Sequence, residues 1–249
     1  MNPWYIRALA LWVFTLFPSF LLYNGCGQIL SRKVNITAIR NTTSTSPDYP
    51  ASLQQFLREK APESFSTLGN FDLLRRRKLA IFCSSSCPAS LLGDLDVIIK
   101  GITDTEVAVI AGFHSDAEKH CLNIFLDQQH PVILAPARSL DRMRIRPEYK
   151  KPLENGRLLL ASFFKSHRHR SDIALTIRRN RYVAALADSI LIVHAPAASK
   201  TEQLCRELMS WGKPVYTIDN EDNQNLVTLG ARRAIADTAN TVLLDGFGN

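Results

Sequence analysis

The stretch RRNRYVAALADSILIVHAPAASKTE, residues 178–202, shows the alternation that decides the fold. Its first half has the apolar spacing of an amphipathic helix, and residues 190–194 form a short apolar run rich in β-branched side chains. A second helix begins near Lys200, because Ser199 and Glu202 fit the S-x-x-E capping box. A buried strand between two helices is typical of a parallel sheet that helices cover on both faces. The stretch therefore predicts one unit of an α/β protein.

The same alternation extends through most of the chain. Apolar runs predict strands at 79–83, 107–111, 131–134, 157–161, 190–194 and 214–218, and amphipathic segments predict helices at 88–102, 115–128, 171–187 and 200–211. Because crossovers between parallel strands are right-handed, few arrangements remain. We predict an α/β fold with a Rossmann-like, doubly wound, mostly parallel sheet and helices on both faces. In such sheets the ligand-binding loops follow the carboxyl ends of the strands.

The length of 249 residues suits one such domain, which we expect at 51–249. Residues 41–50, NTTSTSPDYP, have the composition of a linker. Residues 1–40 are expected to form an apolar extension. Its uncharged run, 8–23, is shorter than the roughly 20 residues that span a bilayer and contains Pro18. It is interpreted either as a signal peptide or short anchor, or as an extension from an early start codon.

Composition excludes several classes of protein. With 46% hydrophobic and 21% charged residues, the chain is not mainly disordered, collagen-like or a polytopic membrane protein. Its five cysteines are odd in number and lie in apolar stretches, which indicates free thiols in a reducing compartment and favours the cytoplasm.

The positive charge is concentrated in one block of sequence. Residues 135–181 hold thirteen Lys and Arg against four Asp and Glu, a net of +9, whereas the whole chain carries +7. The remainder therefore sums to −2. Such a block indicates a partner that is a polyanion, and the alternative is an ordinary solvated surface.

Three predicted loops offer hydroxyls, amides and helix N-termini to an anion, because helix N-termini attract negative charge. The loop after the first predicted strand carries Ser84 and Ser85. The second contributes Gly112 and His114, and the fifth contributes Ser199, Lys200 and Thr201.

The predicted helix 171–187 and the loop before it supply the arginines. Arg178, Arg181 and Tyr182 share one face by helical spacing, while Ile173, Ile177 and Ala184 are expected to face the core. Guanidinium groups so close together repel one another, and phosphates are natural neutralisers. The alternative is an ion-pair network, for which Asp172 and Asp188 are the nearest acids. The candidate phosphate ligands of this region are Arg168, Arg178, Arg179, Asn180 and Arg181.

A hydrolase or metal site is the weaker interpretation of His114, Asp116, Glu118 and His120, because a capped helix start explains the same residues. Cys83 and Cys87 lack the second cysteine pair that a structural zinc site would add. We therefore predict no catalytic residue, no metal site and no cofactor.

These motifs resemble the DprA/Smf family of DNA-processing proteins from position 49 to about 236. The segments that carry the resemblance are YPASLQQF, RKLAIFCSSS, VIAGFHSDAEKHCL, GRLLLASFF, RRNRYVAALAD, SKTE and WGKPVYTI. The resemblance implies that Arg179, Asn180 and Arg181 line a positive pocket for single-stranded DNA. The chain also departs from the family pattern. Cys83-Ser84-Ser85 stands where the family has G-S-R, and the glycine-rich turn after the second strand is reduced to GFHS. SKTE replaces S-G-S-L-x-T-A, and no winged-helix tail is expected.

The resemblance implies a non-catalytic protein that binds single-stranded DNA in transformation or recombination, with a RecA-type recombinase as partner. A homodimer is also expected, and Tyr182 with Phe163 or Phe164 could stack on bases. The rival function is that of a nucleoside monophosphate phosphoribohydrolase. Those enzymes carry P-G-G-x-G-T-x-x-E where this chain has PAASKTE, so a phosphate would find fewer glycine amides here.

Overall fold

The computed structural model describes residues 38–103 and 107–234. Within these ranges the strands are β1 Arg40–Thr43, β2 Ser64–Gly69, β3 Lys78–Cys83, β4 Ala108–Ala111, β5 Val132–Leu134, β6 Leu158–Ser162, β7 Ser189–His194, β8 Val215–Ile218 and β9 Arg232–Ala234. The α-helices are α1 Ala51–Leu57, α2 Leu92–Thr103, α3 Asp116–Asp127, α4 Pro147–Glu154, α5 Ile173–Leu186, α6 Lys200–Ser210 and α7 Gln224–Thr228.

All nine strands form one sheet in the order β1-β2-β6-β5-β4-β3-β7-β8-β9. From β6 to β9 every neighbouring pair is parallel, whereas β1 and β2 pair antiparallel at one edge. The chain builds outward from β3 to β6 and then returns to place β7 on the other side of β3. The strand order therefore reverses between β3 and β7, which is the position where such sheets form a ligand-binding crevice.

The sheet separates two apolar cores, one on each face. In β3, Ala80 and Phe82 join the core that contains α1, α5 and α6, while Leu79 and Ile81 join the core of α2, α3 and α4. Because successive side chains of a strand point to opposite faces, a strand buried on both faces has to be apolar throughout. The predicted Rossmann-like sheet with helices on both faces is confirmed.

The sequence missed the edges of the sheet. β1 begins at Arg40 and pairs with β2, so residues 41–50, expected as a linker, start with a strand of the domain. Both strands are polar and partly exposed, and they lack the continuous apolar run that marks the centre of the sheet. α4 was also missed, since its sequence PEYKKPLE contains two prolines.

The predicted apolar run 8–23 lies outside the described residues. Among the helices of residues 38–103 and 107–234, none combines the length and the apolar character that crossing a bilayer requires.

Lys213 is a buried cation at the amino edge of the sheet. Its ammonium donates hydrogen bonds to the carbonyl oxygens of Ala185, at 3.1 Å, and of Ala187, and lies 4.1 Å from the centroid of the Phe56 ring. Burial lowers its pKa from 10.5 to about 8, although the charge of Asp188 acts in the opposite direction. The folded state therefore holds this proton more weakly than the unfolded chain does.

Lys213 should make the folded state relatively more stable as the pH rises from about 8 to 10.5. In that window the unfolded lysine keeps its proton while the folded one loses it, so the free energy of unfolding rises with pH. Relative to Lys213→Met, the wild-type chain should gain up to about 3 kcal/mol across the window. Urea unfolding of both proteins at the two ends of the window measures this gain. Equal pH dependence in the two proteins would contradict it.

Candidate functional site

Loops at the carboxyl edge of the sheet surround a cavity of about 760 Å³, which we call the main cavity. They follow β3, β4 and β7, and the start of α5 completes the wall. Nine of the twelve predicted site residues line it: Ser84, Ser85, His114, Arg179, Asn180, Arg181, Ser199, Lys200 and Thr201. The crevice at the reversal of strand order therefore collects most of the predicted site.

The other three predicted residues lie in adjoining cavities. Gly112 lines a cavity of about 490 Å³ between α3 and the segment after β5, which we call the arginine groove. Arg168 and Arg178 line a cavity of about 750 Å³ beside Phe163 and Phe164, the aromatic cavity. The cations of residues 135–181 are thus distributed among adjoining cavities and do not converge on one trough.

Glu118 ties two of the loops together. Ser115 caps α3 by accepting a hydrogen bond from the Glu118 amide at 3.2 Å. The buried Glu118 carboxylate accepts from the amide of His114 at 2.7 Å and from the amide of Cys83 at 3.0 Å. Because Cys83 ends β3, this carboxylate fixes the loop after β3 to the start of α3. The capped-helix interpretation of this region is confirmed.

The suspected hydrolase or metal cluster is not assembled. His120 contacts Asp96 at 2.6 Å, and Asp116 forms an ion pair with Lys119 at 2.8 Å. Across residues 38–103 and 107–234, no group of three or more His, Cys, Asp and Glu side chains is placed to hold a metal ion.

The start of α6 is also held by a serine cap and a buried glutamate. Ser199 accepts from the Glu202 amide at 3.1 Å, and the buried Glu202 carboxylate accepts from the Ala198 amide and from Asn225, each at 2.9 Å. These hydrogen bonds, that from Asn225 above all, lower the pKa of Glu202. Lys200, the first residue of α6, is exposed and forms no ion pair with the described carboxylates. Its ammonium therefore adds to the positive end of the helix dipole.

Arg179 is the buried cation of the site, with 3% of its surface exposed. Nη1 donates to the carbonyl oxygen of Ala135 at 2.8 Å, and Nε donates to Oδ1 of Asn180 at 2.7 Å. Neither Nη2 nor any other atom of the guanidinium is paired with a carboxylate of the described residues. Burial lowers the pKa of Arg179, and the negative charge of Glu118 acts in the opposite direction. Arg179 lines both the main cavity and the arginine groove.

Gly112 provides the space that this guanidinium occupies. A Cβ built on Gly112 would lie 1.0 Å from Nη1 and 1.7 Å from Cζ of Arg179. Any side chain at this position has to displace the guanidinium. Gly112, predicted as a phosphate ligand, thus leaves the room for Arg179, which the sequence alone did not show.

The orientation of α5 differs in part from the sequence prediction, although Ala184 is buried as expected. Tyr182 is 3% exposed and Arg179 is buried, whereas Ile173, expected in the core, is 65% exposed. The buried face is that of Leu175, Tyr182, Val183 and Leu186, and Ile173 lies in the first turn at the cavity mouth. Its position at the rim, and not its hydrophobicity, decides its exposure.

Arg178 and Arg181, predicted as phosphate ligands, already have protein partners. Arg178 donates to the hydroxyl of Tyr182 at 3.0 Å, and Nε of Arg181 lies 2.8 Å from a carboxylate oxygen of Glu207. Phe163 and Phe164 are buried against Tyr182, with ring centroids 5.1 and 6.1 Å from it. These aromatic rings are core residues, so they do not present the stacking surfaces that the sequence suggested.

The acids of the main cavity are engaged as well. Asp172 caps α5 by accepting from the Leu175 amide at 2.7 Å, and Glu207 holds Arg181. Together with Glu118 and Asp116, described above, every acid that lines the cavity has a donor. Arg179 and Lys200 are therefore the cations of this cavity that form no ion pair with a described carboxylate.

Comparisons with known proteins bear on the fold and the family of the chain. No curated protein matches the chain by sequence. The chain is similar to the X-ray structure of DNA processing protein A (DprA) from Streptococcus pneumoniae, with a TM-score of 0.69, 20% identity, and coverage of 84% of this chain and 74% of the other. It is also similar to DNA processing protein A from Helicobacter pylori, with a TM-score of 0.67, 19% identity and coverage of 83% and 97%. Both similarities show the fold.

The sheet, its crevice and the sequence motifs along them all lie within one region of the chain. The model of the DNA recombination-mediator protein A family matches residues 40–245, from the first described strand to beyond the last. The chain thus belongs to the DNA recombination-mediator protein A family.

Proposed function

We propose that this protein binds single-stranded DNA at the main cavity and does not change it covalently. The observation that carries the proposal is the buried guanidinium of Arg179, which forms no ion pair or hydrogen bond with a carboxylate of the described residues. A charge removed from water needs a partner of opposite sign to offset its lost hydration. A phosphate at the wall that Arg179 forms would supply that charge.

Lys200 and the N-terminus of α6 complete the anion site. Ser199 uses the amide of Glu202, which leaves the earlier amides of the first turn available to a ligand. A lysine in that turn is unfavourable beside the positive helix end unless an anion is bound there. The loop that carries these groups is held by Glu202, so the site is ordered before DNA arrives.

Family membership supports DNA as the polyanion, since the chain belongs to a family of DNA recombination mediators. The similar protein from Helicobacter pylori is described as binding single-stranded DNA in a unique mode. A single strand exposes successive phosphates along a flexible backbone, which suits cations set in adjoining cavities.

The state of the carboxylates supports a binding function without catalysis. A general acid or base has to be free to exchange a proton with its substrate. Glu118 accepts hydrogen bonds from two backbone amides. The hydrogen bonds that Glu202 accepts lower the pKa of Glu202. Both glutamates therefore use their carboxylates to hold loops, and the lowered pKa of Glu202 does not suit proton transfer to a leaving base.

Lys200→Ala should weaken binding to oligo-dT several-fold and make the slope of log affinity against log salt shallower by about 0.7, the value for one lost phosphate contact on a single strand. Fluorescence anisotropy at several salt concentrations measures both quantities. The matched control is Lys100→Ala, an exposed lysine in the last turn of α2 that lines none of the three cavities. Equal effects of the two substitutions would count against the site.

Gly112→Ala should reduce oligo-dT affinity by about tenfold or more, because its Cβ displaces Arg179, and hydrogen bonds to charged groups contribute roughly 1.5–3 kcal/mol. The fold should survive, since the displaced atoms are the end of a flexible side chain. Gly93→Ala is the control, because a Cβ there meets no atom within 4 Å. Unchanged affinity in a Gly112→Ala protein that melts like the wild type would exclude Arg179 as a ligand.

An assay for the release of free base distinguishes the proposed function from the rival function, hydrolysis of a nucleoside monophosphate. Incubation with AMP should release no free adenine, whereas a phosphoribohydrolase would release it. Release that disappears in Glu202→Gln would replace the proposed function with the rival one.

Three further proposals concern partners and location. We propose a RecA-type recombinase as partner, which the description of the family as recombination mediators supports. We also propose a homodimer, which sedimentation of the purified chain would test. A cytoplasmic location is supported by the free thiols of Cys83, Cys87, Cys121 and Cys205, and cell fractionation would test it.

A further inference from the structure

The arginine groove is the most cationic of the three cavities. Lys119, Arg138, Arg144, Arg146 and Arg179 line it, and Glu148 is the acid among its lining residues. The main cavity, by contrast, combines three Arg and Lys with four acids. The positive potential beside Arg179 therefore increases toward the groove and away from the main cavity.

Besides Arg179, two arginines of the groove have no carboxylate partner among the described residues. These are Arg138, which is half-buried, and Arg144, which is exposed. Arg146 lies 3.6 Å from Glu148, and Lys119 is paired with Asp116. Cations that line one cavity raise its positive potential, and an anionic ligand would reduce their mutual repulsion.

The segment that carries these arginines is held firmly. The carbonyl oxygen of Arg138 accepts from the hydroxyl of Ser162 at 2.6 Å, and the Ser139 amide donates to the carbonyl oxygen of Arg168 at 2.8 Å. Leu140 is 4% exposed and anchors the segment in the core. The arginines thus project from an ordered backbone, which reduces the conformational entropy lost when a ligand binds.

The floor and rim of the groove differ in chemistry. Phe113, Leu122, Leu134 and Tyr149 form a buried, largely apolar floor, and the arginines form the rim. A nucleotide chain has the complementary division, with apolar faces on its sugars and bases and negative charge on its phosphates.

Arg179 connects this groove to the main cavity, because its nine-tenths-buried guanidinium lines both. Its Nη2 has no acceptor among the described protein atoms. Arg181, which lies between the main cavity and the aromatic cavity, is already paired with Glu207. The aromatic cavity also holds arginines with no carboxylate partner among the described residues, Arg168 and Arg178, but two acids line it against one in the arginine groove. A strand that leaves the main cavity therefore meets the higher positive charge on the side of the arginine groove.

We propose that the arginine groove is a second binding segment for the same DNA strand, which passes Arg179 and places successive phosphates against Arg138 and Arg144. This inference rests on the proposed function of the main cavity. It adds a direction to the bound strand, from the N-terminus of α6 toward the segment after β5. It also requires a minimum length, because a short oligonucleotide cannot occupy both segments.

The test uses the full chain and two oligo-dT probes, of about 5 and about 20 nucleotides, near the limits of common single-strand site sizes. In the double variant Arg138→Ala/Arg144→Ala, affinity for the long probe should fall by about tenfold and its salt slope should become shallower by about 1.4, for two lost contacts. Affinity for the short probe should not change. The control Arg75→Ala/Lys100→Ala removes the same charge outside all three cavities.

Each other outcome overturns the inference in a distinguishable way. If the variant binds both probes like the wild type, the groove is not used, although the proposed function stands. If the affinities for both probes fall equally, the arginines act on the main cavity and do not extend it. If the wild type binds neither probe, the proposed function itself fails. Arg144→Glu, at an exposed side chain, repeats the test without any change in the core and should also weaken binding of the long probe alone.

Discussion

The site depends on a guanidinium buried where three parts of the fold meet. Arg179 extends from α5 to the carbonyl oxygen of Ala135 after β5 and occupies the space that Gly112 leaves after β4. An unpaired buried charge is destabilising by several kcal/mol, and two neutral acceptors with a distant carboxylate offset only part of that. The protein therefore tolerates a local cost to stability at the position where an anion would be bound most strongly. Functional sites commonly show this conflict between local stability and binding.

Around this arginine the two buried glutamates set the positions of the loops. Glu118 joins the end of β3 to the start of α3, and Glu202 joins the start of α6 to Asn225 of α7. Each one satisfies backbone or amide donors that would otherwise compete for a ligand. The acids therefore contribute order, and the charge that can attract a polyanion is left to Arg179, Lys200 and the arginine groove. A simple count of charges in the main cavity would hide this division.

The centre of the fold could be predicted from the sequence because burial on both faces forces continuous apolar strands, such as β3 and β7. Their limits differ from prediction by one residue, as for β7, which begins at Ser189. β1, β2 and β9 could not be found this way, since strands at or next to an edge of the sheet need few apolar side chains. The loops of the site were found for a similar reason: Ser115 and Ser199 carry local capping signals that depend on a few neighbouring residues only.

What the sequence could not show is which polar group is buried. Helical spacing predicted that Ile173 is buried and placed Arg179 between the two faces of the helix. Ile173 is instead exposed and Arg179 is buried, because contacts with residues distant in sequence decide the burial of each side chain. The need for glycine at Gly112 depends on an arginine that is 67 positions away in the chain. The arginine groove was visible only as part of a basic block, because its division from the main cavity is made by the path of the segment after β5.

The reversal of strand order also has a consequence for the time at which the crevice forms. β3 lies at the centre of the parallel strands, and it meets β7 only after the chain has built β4, β5 and β6. The hydrogen bond from the Lys78 amide to Asp188, beside that pairing, joins residues 110 positions apart. During synthesis from the ribosome the first half of the sheet can assemble early, but the binding crevice is completed late, by a contact of high sequence separation. A nascent chain thus lacks the complete crevice until most of the domain has emerged.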